Sequence, residues 1–198
     1  ETSLGLMRLE GECSRTIDQV RLFATLAEKE KWKEISTEVA EPFRTPSPKP
    51  EMYKANHPIG PVVVIGACNF PLAISVVGTD TTSALAVGCP VVVKSHPRHA
   101  QTCQLLADLV NLAKKESNMP EGCFTLLHGE SHEVSRALVA HPKTTCVAFT
   151  GSLKGGQALY QVANARPAPI PFHAEMGSLN PVFGLPFALK EKGDKLIR

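Results

Sequence analysis

The feature that most constrains the fold of this chain is a series of short apolar runs separated by segments of helical length. Val62–Ile65 and Val91–Val93 are β-branched throughout, and Phe124–Leu127 and Cys146–Phe149 follow at similar intervals. Runs that are apolar at every position are typical of strands buried on both faces of a parallel sheet. The segments between them are long enough for the crossover helices that join parallel strands. The chain is therefore predicted to form an α/β fold, a parallel sheet with flanking helices.

Periodicity and breaker residues predict the remaining elements. Apolar positions at helical spacing predict an amphipathic helix over residues 15–39. Five prolines between residues 42 and 58 exclude a helix there and predict a loop or extended chain. These patterns divide the chain into a helical segment at 1–41, a proline-rich connection at 42–58 and an α/β domain at 59–198. Within that domain, helices are expected at 69–87, 97–117, 131–140 and 152–165, and weaker strands at Phe172–Glu175 and Pro181–Phe183.

Composition excludes several classes of function. The net charge is only +2 and the basic residues form no long cluster, so no nucleic-acid partner is expected. No pair of the six cysteines has C-x-x-C spacing, and His96 and His99 lack a zincin arrangement, so no metal site is expected. Widely spaced cysteines favour reduced thiols in a cytoplasmic protein. No apolar run is long enough to span a membrane, no signal peptide is found, and a start at Glu1 predicts a fragment or an incomplete chain.

Ligands of parallel sheets bind beyond the carboxyl ends of the strands, so the residues there are candidate site residues. Asn69 follows the first strand, and its amide is either a helix N-cap or an oxyanion donor. Lys94 ends the second strand, and is either a solvated strand end or a contact to ribose or phosphate. The glycine-rich turn at Gly151–Gly156 is either ordinary turn chemistry or a phosphate site at a helix N-terminus. It is neither a Walker A loop nor a G-x-G-x-x-G fingerprint.

Glu175 is the remaining candidate for catalysis. It lies between apolar and glycine neighbours, which favours a general base if the carboxylate is partly desolvated, whereas a surface role is the ordinary alternative. The chain has no G-x-S-x-G nucleophile elbow, which disfavours a Ser-His-Asp hydrolase.

Taken in order, these motifs resemble the aldehyde dehydrogenase superfamily over about residues 8 to 190. Two of them, Val93–Pro97 and Gly177–Pro181, are similar to the branch of NADP-dependent fatty-aldehyde and 2,5-dioxovalerate (α-ketoglutarate semialdehyde) dehydrogenases. The segments that carry the resemblance are Pro58–Ile65, Asn69–Leu72, Ala84–Lys94, Phe149–Ser152 and Glu175–Pro181.

The resemblance implies a Rossmann-like cofactor domain and a role for each matching residue. It implies that Asn69 stabilises the oxyanion and that Glu175 activates water for thioester hydrolysis. Lys94 corresponds to the lysine that contacts the adenosine ribose, and Gly177 to the glycine that lets the backbone approach the nicotinamide. The residues that correspond to the pyrophosphate turn are Gly151, Ser152 and Gly156.

The chain departs from the family's pattern in two places. No acidic residue follows Lys94 at positions 95–98, and His96 or Arg98 can pair with a 2′-phosphate, so NADP is expected over NAD, with NAD also possible. The chain also ends before the point where the family has its nucleophilic cysteine, and neither Cys68 nor Cys146 matches that context.

Three functional hypotheses follow. The first is NAD(P)-dependent oxidation of a small-molecule aldehyde to an acid by a complete, homo-oligomeric enzyme, of which this chain supplies the cofactor site, oxyanion amide and general base. By itself the chain is then expected to be inactive. The second is a non-catalytic nucleotide-binding module or an inactive fragment, and the third is a reductase of acyl phosphates or acyl thioesters.

Overall fold

A computed structural model describes residues 1–181 and 183–190 of the chain. Two sheets are found in this part, a small antiparallel pair and a parallel sheet of five strands. The principal α-helices are α1 (Leu6–Glu28), α2 (Thr79–Ala86), α3 (Ala100–Glu116), α4 (His132–Ala140) and α5 (Leu153–Asn164), and residues 186–190 are helical as well. The strands are β1 (Ser36–Glu38), β2 (Met52–Lys54), β3 (Val62–Ile65), β4 (Val91–Lys94), β5 (Phe124–Leu127), β6 (Cys146–Gly151) and β7 (Phe172–Met176).

The five-stranded sheet has the order β5-β4-β3-β6-β7, and every neighbouring pair in it is parallel. Successive side chains of each strand point to opposite faces of the sheet, so the strands contribute to a hydrophobic core on both faces. Val62 and Val64 pack on the face covered by α2 and α3, whereas Val63 and Ile65 pack on the face covered by α4 and α5. All four residues of β3 are buried, as expected for the central strand. The prediction of a parallel sheet with flanking helices is confirmed.

The predicted helix at 15–39 was wrong at both ends. Helix α1 begins at Leu6 behind Gly5, which provides no side-chain cap, so no capping residue marks the start. It ends at Glu28, and Glu30 and Glu34 then take left-handed backbone conformations around a short 3-10 turn, which interrupts any longer helix. Strand β1 follows and pairs with β2, so the proline-rich region joins two strands of a hairpin-like pair. Helix α1 packs against α2 of the α/β domain. The predicted division of the chain into segments at residues 41 and 58 stays a prediction.

The predicted helix at 69–87 is interrupted. A π-type helical turn spans Pro71–Val76, and α2 begins only at Thr79, after the extended residue Gly78. A side chain at Gly78 would lie 2.5 Å from the carbonyl oxygen of Ala73, so the two helical pieces meet too closely for a larger residue. Pro181 and Phe183 are not in a strand, and Val182, the centre of the predicted strand at 181–183, lies outside the described residues.

Candidate functional site

The carboxyl ends of the parallel strands bring the predicted site residues to one edge of the sheet. Lys94 lies opposite Ile65, Ile65 lies opposite Phe149, and Thr150 lies opposite Glu175. Lys94 and Glu175 are therefore three strand spacings apart, about 14 Å along the sheet. Asn69 follows the central strand between them. This edge is wide enough to receive a ligand larger than a single nucleotide base.

The turn after β3 carries Asn69. Gly66 allows the chain to fold back, because a Cβ there would lie 2.7 Å from the carbonyl oxygen of Ile74. The side chain of Asn69 is exposed, and among the described residues no hydrogen bond to its amide is found. Its backbone oxygen accepts a hydrogen bond from Arg8 at 3.1 Å.

The alternative that Asn69 caps a helix was wrong. Phe70, with φ −131° and ψ 75°, is the residue before the helical turn, and it provides no side-chain cap. The first-turn N–H groups of Leu72 and Ala73 donate instead to Oε1 of Glu12, at 2.7 and 2.9 Å. Because Glu12 on α1 satisfies these donors, Asn69 does not serve as the cap of this turn, and its role as an oxyanion donor stays a prediction.

Lys94 is not a solvated strand end. Its side chain is 8% exposed, and burial lowers the pKa of its ammonium group, although the neighbouring Cys103 opposes this effect. The following residue, Ser95, is held by a backbone hydrogen bond to Leu127 of β5. The backbone after Lys94 is therefore anchored to β5 at the edge of the sheet, and the contact of Lys94 with a ribose stays a prediction.

His96 and Arg98 continue from Lys94 but differ in charge. Burial, assisted by the nearby His99, Lys94 and Arg98, lowers the pKa of His96 to about 4. Nδ1 of His96 accepts a hydrogen bond from the backbone N–H of Arg98 at 3.2 Å. At neutral pH His96 is therefore uncharged and offers only an Nε2–H donor. Arg98 is exposed and supplies the positive charge here.

A buried histidine–cysteine pair lies beneath this strand end and was missed from the sequence. His99 is 2% exposed, its ring stacks on His96 with centroids 5.2 Å apart, and its Nδ1 lies 3.3 Å from Sγ of Cys103. Burial raises the pKa of the Cys103 thiol, but hydrogen bonds from His99 and the backbone of His96 outweigh it, so the pKa is lowered on balance. The spacing of four residues at the start of α3 was the available sequence signal.

The glycine-rich turn between β6 and α5 presents helix N-terminal amides at the same edge. Oγ of Ser152 accepts from the N–H of Gly155 at 3.2 Å. The N–H groups of Leu153 and Lys154 have no partner inside the helix, and the helix dipole makes this end attractive to an anion. Gly156 is buried, and a Cβ there would lie 2.6 Å from Sδ of Met176. The structure therefore explains Gly156 by close packing against β7, and its contact with a pyrophosphate stays a prediction.

The end of β7 is joined to this turn. The N–H of Gly177 donates to the oxygen of Gly151 at 2.9 Å, and Gly177 has φ +73°, a conformation that favours glycine. Glu175 is exposed beside Thr150, so within the described residues its carboxylate is not desolvated, and its role as a general base stays a prediction. Asp80 of α2 is a second carboxyl group in this region that was missed from the sequence: burial, together with the negative charge of Glu175, raises its pKa.

The structure thus groups the predicted residues on two sides of Asn69. One group, on the β4 side, consists of Lys94, His96 and Arg98; the other, on the β6 and β7 side, consists of Gly151, Ser152, Gly156, Glu175 and Gly177. Within residues 1–181 and 183–190, no cluster of three histidine, cysteine or carboxylate side chains is arranged to hold a metal ion. In the same part of the chain, no helix is long and apolar enough to cross a membrane.

Comparison with solved structures supports this description of the fold. NADP-dependent glyceraldehyde-3-phosphate dehydrogenase of Bacillus halodurans, solved with NADP, superposes with a TM-score of 0.71 at 26% identity, covering 86% of this chain and 33% of that one. Glyceraldehyde-3-phosphate dehydrogenase of Methanocaldococcus jannaschii, also solved with NADP, gives a TM-score of 0.72 over 91% of this chain and 36% of that one. At 24% identity, the second likeness concerns the fold alone.

Comparison with curated proteins gives higher identities. Alpha-ketoglutaric semialdehyde dehydrogenase 2 of Azospirillum brasilense is 48% identical over 196 residues, which cover 99% of this chain and 37% of that protein. Alpha-ketoglutaric semialdehyde dehydrogenase of Acinetobacter baylyi is 44% identical over the same shares of the two chains. The chain thus spans 37% of the length of these relatives.

These relatives confirm the predicted resemblance to the semialdehyde dehydrogenase branch. The sequence profile of the aldehyde dehydrogenase family matches residues 2–188, which is nearly the whole chain. On that match, the chain belongs to the aldehyde dehydrogenase family.

Proposed function

We propose that the protein containing this chain oxidises an aldehyde to a carboxylic acid with NADP as the hydride acceptor. The observation that carries the proposal is the shared edge at which Lys94, the amides of α5, Asn69 and Glu175 lie together. The match to the aldehyde dehydrogenase family supports the reaction class. The chain supplies the cofactor site, one oxyanion donor and the general base, and the cysteine nucleophile is contributed from outside it.

The residues present fit a dinucleotide. The ammonium group of Lys94 is suited to ribose hydroxyls, and the N–H groups of Leu153 and Lys154 are suited to a pyrophosphate. At Gly177 a Cβ would meet no atom within 4 Å, so the absence of a side chain leaves open space beside the backbone. When bound, the cofactor supplies the hydride-accepting ring.

Two side chains act on the substrate in this proposal. The amide nitrogen of Asn69 donates a hydrogen bond to the aldehyde oxygen as negative charge develops on it, which lowers the barrier because the donor is already in place. Glu175 accepts a proton from the water that releases the acid, and its exposed position gives water access to the carboxylate. The backbone that carries these groups is held in place, at Asn69 by a hydrogen bond from Arg8 and at the end of β7 by a hydrogen bond from Gly177 to Gly151.

The preference for NADP rests on the residues after Lys94. None of residues 95–98 is acidic, so a 2′-phosphate meets no like charge, and exposed Arg98 offers a cation that can pair with it. His96 contributes an uncharged donor because its pKa is about 4. The related Bacillus halodurans structure, which was solved with NADP, supports this cofactor.

For the substrate, we propose a semialdehyde of an α-keto acid, since two relatives above 40% identity bear that name.

A homo-oligomeric enzyme in the cytoplasm is proposed as well. All six cysteines are free thiols, which suits a reducing compartment. Exposed leucines at 105, 109 and 112 form an apolar stripe along α3, which supports a contact with another polypeptide segment.

Parallel calorimetric titrations of the chain with NADP and NAD test the cofactor site. We expect NADP to bind more tightly than NAD, and we expect Lys94→Ala to weaken both. The absence of binding by either nucleotide would contradict a preformed site. In the protein that contains this chain, aldehyde-dependent formation of NADPH tests the reaction, and cofactor binding without turnover would favour a non-catalytic nucleotide-binding protein.

A further inference from the structure

A buried carboxylate on α1 takes the place of a helix cap in the turn that follows Asn69. Glu12 is 2% exposed, and its Oε1 accepts the backbone N–H groups of Leu72 and Ala73 at 2.7 and 2.9 Å. A carboxylate that accepts two backbone N–H groups is held more firmly than one with neutral contacts, because charge-assisted hydrogen bonds are the stronger kind. Glu12 therefore ties the residues just after Asn69 to a helix sixty positions earlier in the chain.

Arg8, one helical turn before Glu12, holds the other end of the same turn. Its Nη1 donates to Oε2 of Glu12 at 2.5 Å, and its Nη2 donates to the backbone oxygen of Asn69 at 3.1 Å. Its guanidinium carbon lies 4.3 Å from the ring centroid of Phe70. One planar guanidinium thus contacts the helix carboxylate, the backbone of Asn69 and the following aromatic ring.

These contacts join into one network with Asn69 at its exposed end. Glu12 cannot be buried as an anion without partners, since an unpaired buried charge is very costly. Its partners are Arg8 and the first turn after Asn69, so both carboxylate oxygens keep their hydrogen-bond partners only while that turn keeps its position. Position matters at Asn69, because a misplacement of about 1 Å in a catalytic group can cost roughly a hundredfold in rate.

We propose that Arg8 and Glu12 are positioning residues that set the place of the Asn69 amide for catalysis. The proposal rests on the proposed function, in which Asn69 donates to the developing oxyanion. In this proposal α1 contributes to catalysis through Arg8 and Glu12, although the helix itself is not part of the sheet edge that carries the site residues. Lys94 and α5 are not part of the network, so cofactor binding should be insensitive to it.

The test uses the protein that contains this chain, with kcat and KM for aldehyde and NADP as readouts. We expect Glu12→Gln to lower kcat by about tenfold or more, with KM for NADP unchanged, because the ion pair to Arg8 is lost while the turn remains folded. Arg8→Met is the second variant; it keeps a long stem at a half-exposed site and should lower kcat in the same way. Glu10→Gln is the matched control, since it removes the same charge from an exposed position of α1, and it should leave kcat unchanged.

A double-mutant cycle with Asn69→Ala separates positioning from a general structural role. We expect Asn69→Ala to lower kcat by roughly a hundredfold, and Glu12→Gln to cause little further loss in that background. If Glu12→Gln lowers kcat equally in both backgrounds, or leaves it unchanged while Asn69→Ala lowers it, the positioning proposal is overturned and the role of Asn69 stands. If Asn69→Ala itself leaves kcat unchanged, the proposed function of Asn69 fails first. Should Glu12→Gln not fold, Arg8→Met decides by the same criteria.

Discussion

Arg98 is the exposed cation at the strand end where a 2′-phosphate is proposed to bind. We expect Arg98→Glu to weaken NADP binding by about tenfold, because it replaces an attractive charge with a repulsive one, and to change NAD binding much less. Lys115→Glu makes the same charge change at an exposed position near the far end of α3 and should leave both affinities unchanged. Calorimetric titration of the two variants with both nucleotides measures the difference, and an equal loss for NAD and NADP would contradict the role of Arg98.

His96 should make the stability of the protein depend on pH. Its folded pKa of about 4 lies below the ordinary 6.5, so the unfolded chain binds a proton that the folded chain does not. The contribution is fully present above pH 6.5 and is lost as the pH falls toward 4. We expect the free energy of unfolding to decline over this range less steeply in His96→Gln than in the parent. Urea denaturation at several pH values measures the free energy of unfolding of both proteins. The same dependence of that free energy on pH in His96→Gln and in the parent would contradict the lowered pKa of His96.

At the scale of elements, the π-type turn and α2 pack so closely at Gly78 that a single added methyl group should lower the stability of the protein. A Cβ at Gly78 would lie 2.5 Å from the oxygen of Ala73 and 2.7 Å from Cα of Ile74, both backbone atoms that cannot rotate away. We expect Gly78→Ala to lower the free energy of unfolding by about 2 kcal/mol. Gly122→Ala is the control, because a Cβ there has no atom within 4 Å. Chemical denaturation compares them, and equal stability would argue against close packing at Gly78.

The central strands β3 and β4 were predicted well because both of their faces are buried. In β3 and β4 an uninterrupted β-branched run indicates a strand buried in a parallel sheet. The parallel pairing of the strands then brings Lys94, Asn69 and Glu175 to one edge of the sheet. Helix ends were predicted poorly where no side chain marks them. Gly5 gives α1 no capping side chain, and the cap of the turn at Pro71 is Glu12, which is distant in sequence. Local patterns cannot reveal a cap that arrives from another element.

Individual site residues were harder to predict than their location. Glu12 lies one turn before buried Thr16 on the face of α1 that later carries Phe23, so a charge on an inward-facing position was the available signal. It was missed because the predicted helix began at residue 15. The charge state of His96 could not be inferred either, since it depends on burial and on three neighbouring basic side chains.

At the scale of the whole molecule, the chain alone should bind a nucleotide without oxidising aldehydes. Cys89, Cys103 and Cys146 are buried, and exposed Cys68 precedes Asn69 without matching the family's nucleophile. We expect no aldehyde-dependent rise in NADPH absorbance from the purified 198-residue chain. Turnover that disappears in Cys68→Ser would contradict this expectation and would identify that thiol as a nucleophile.

The central place of β3 has a consequence for synthesis on the ribosome. Its partners on the two sides are β4, which follows soon, and β6, which begins about 80 residues after β3 ends. At elongation rates of about 5–20 residues per second, one flank of this wholly apolar strand waits roughly 4–16 s for its neighbour. The unpaired edge of a hydrophobic strand exposes free N–H and C=O groups, with which a strand of another nascent chain can pair. Slow translation between residues 66 and 145 would lengthen that wait, and chaperone demand should rise with it.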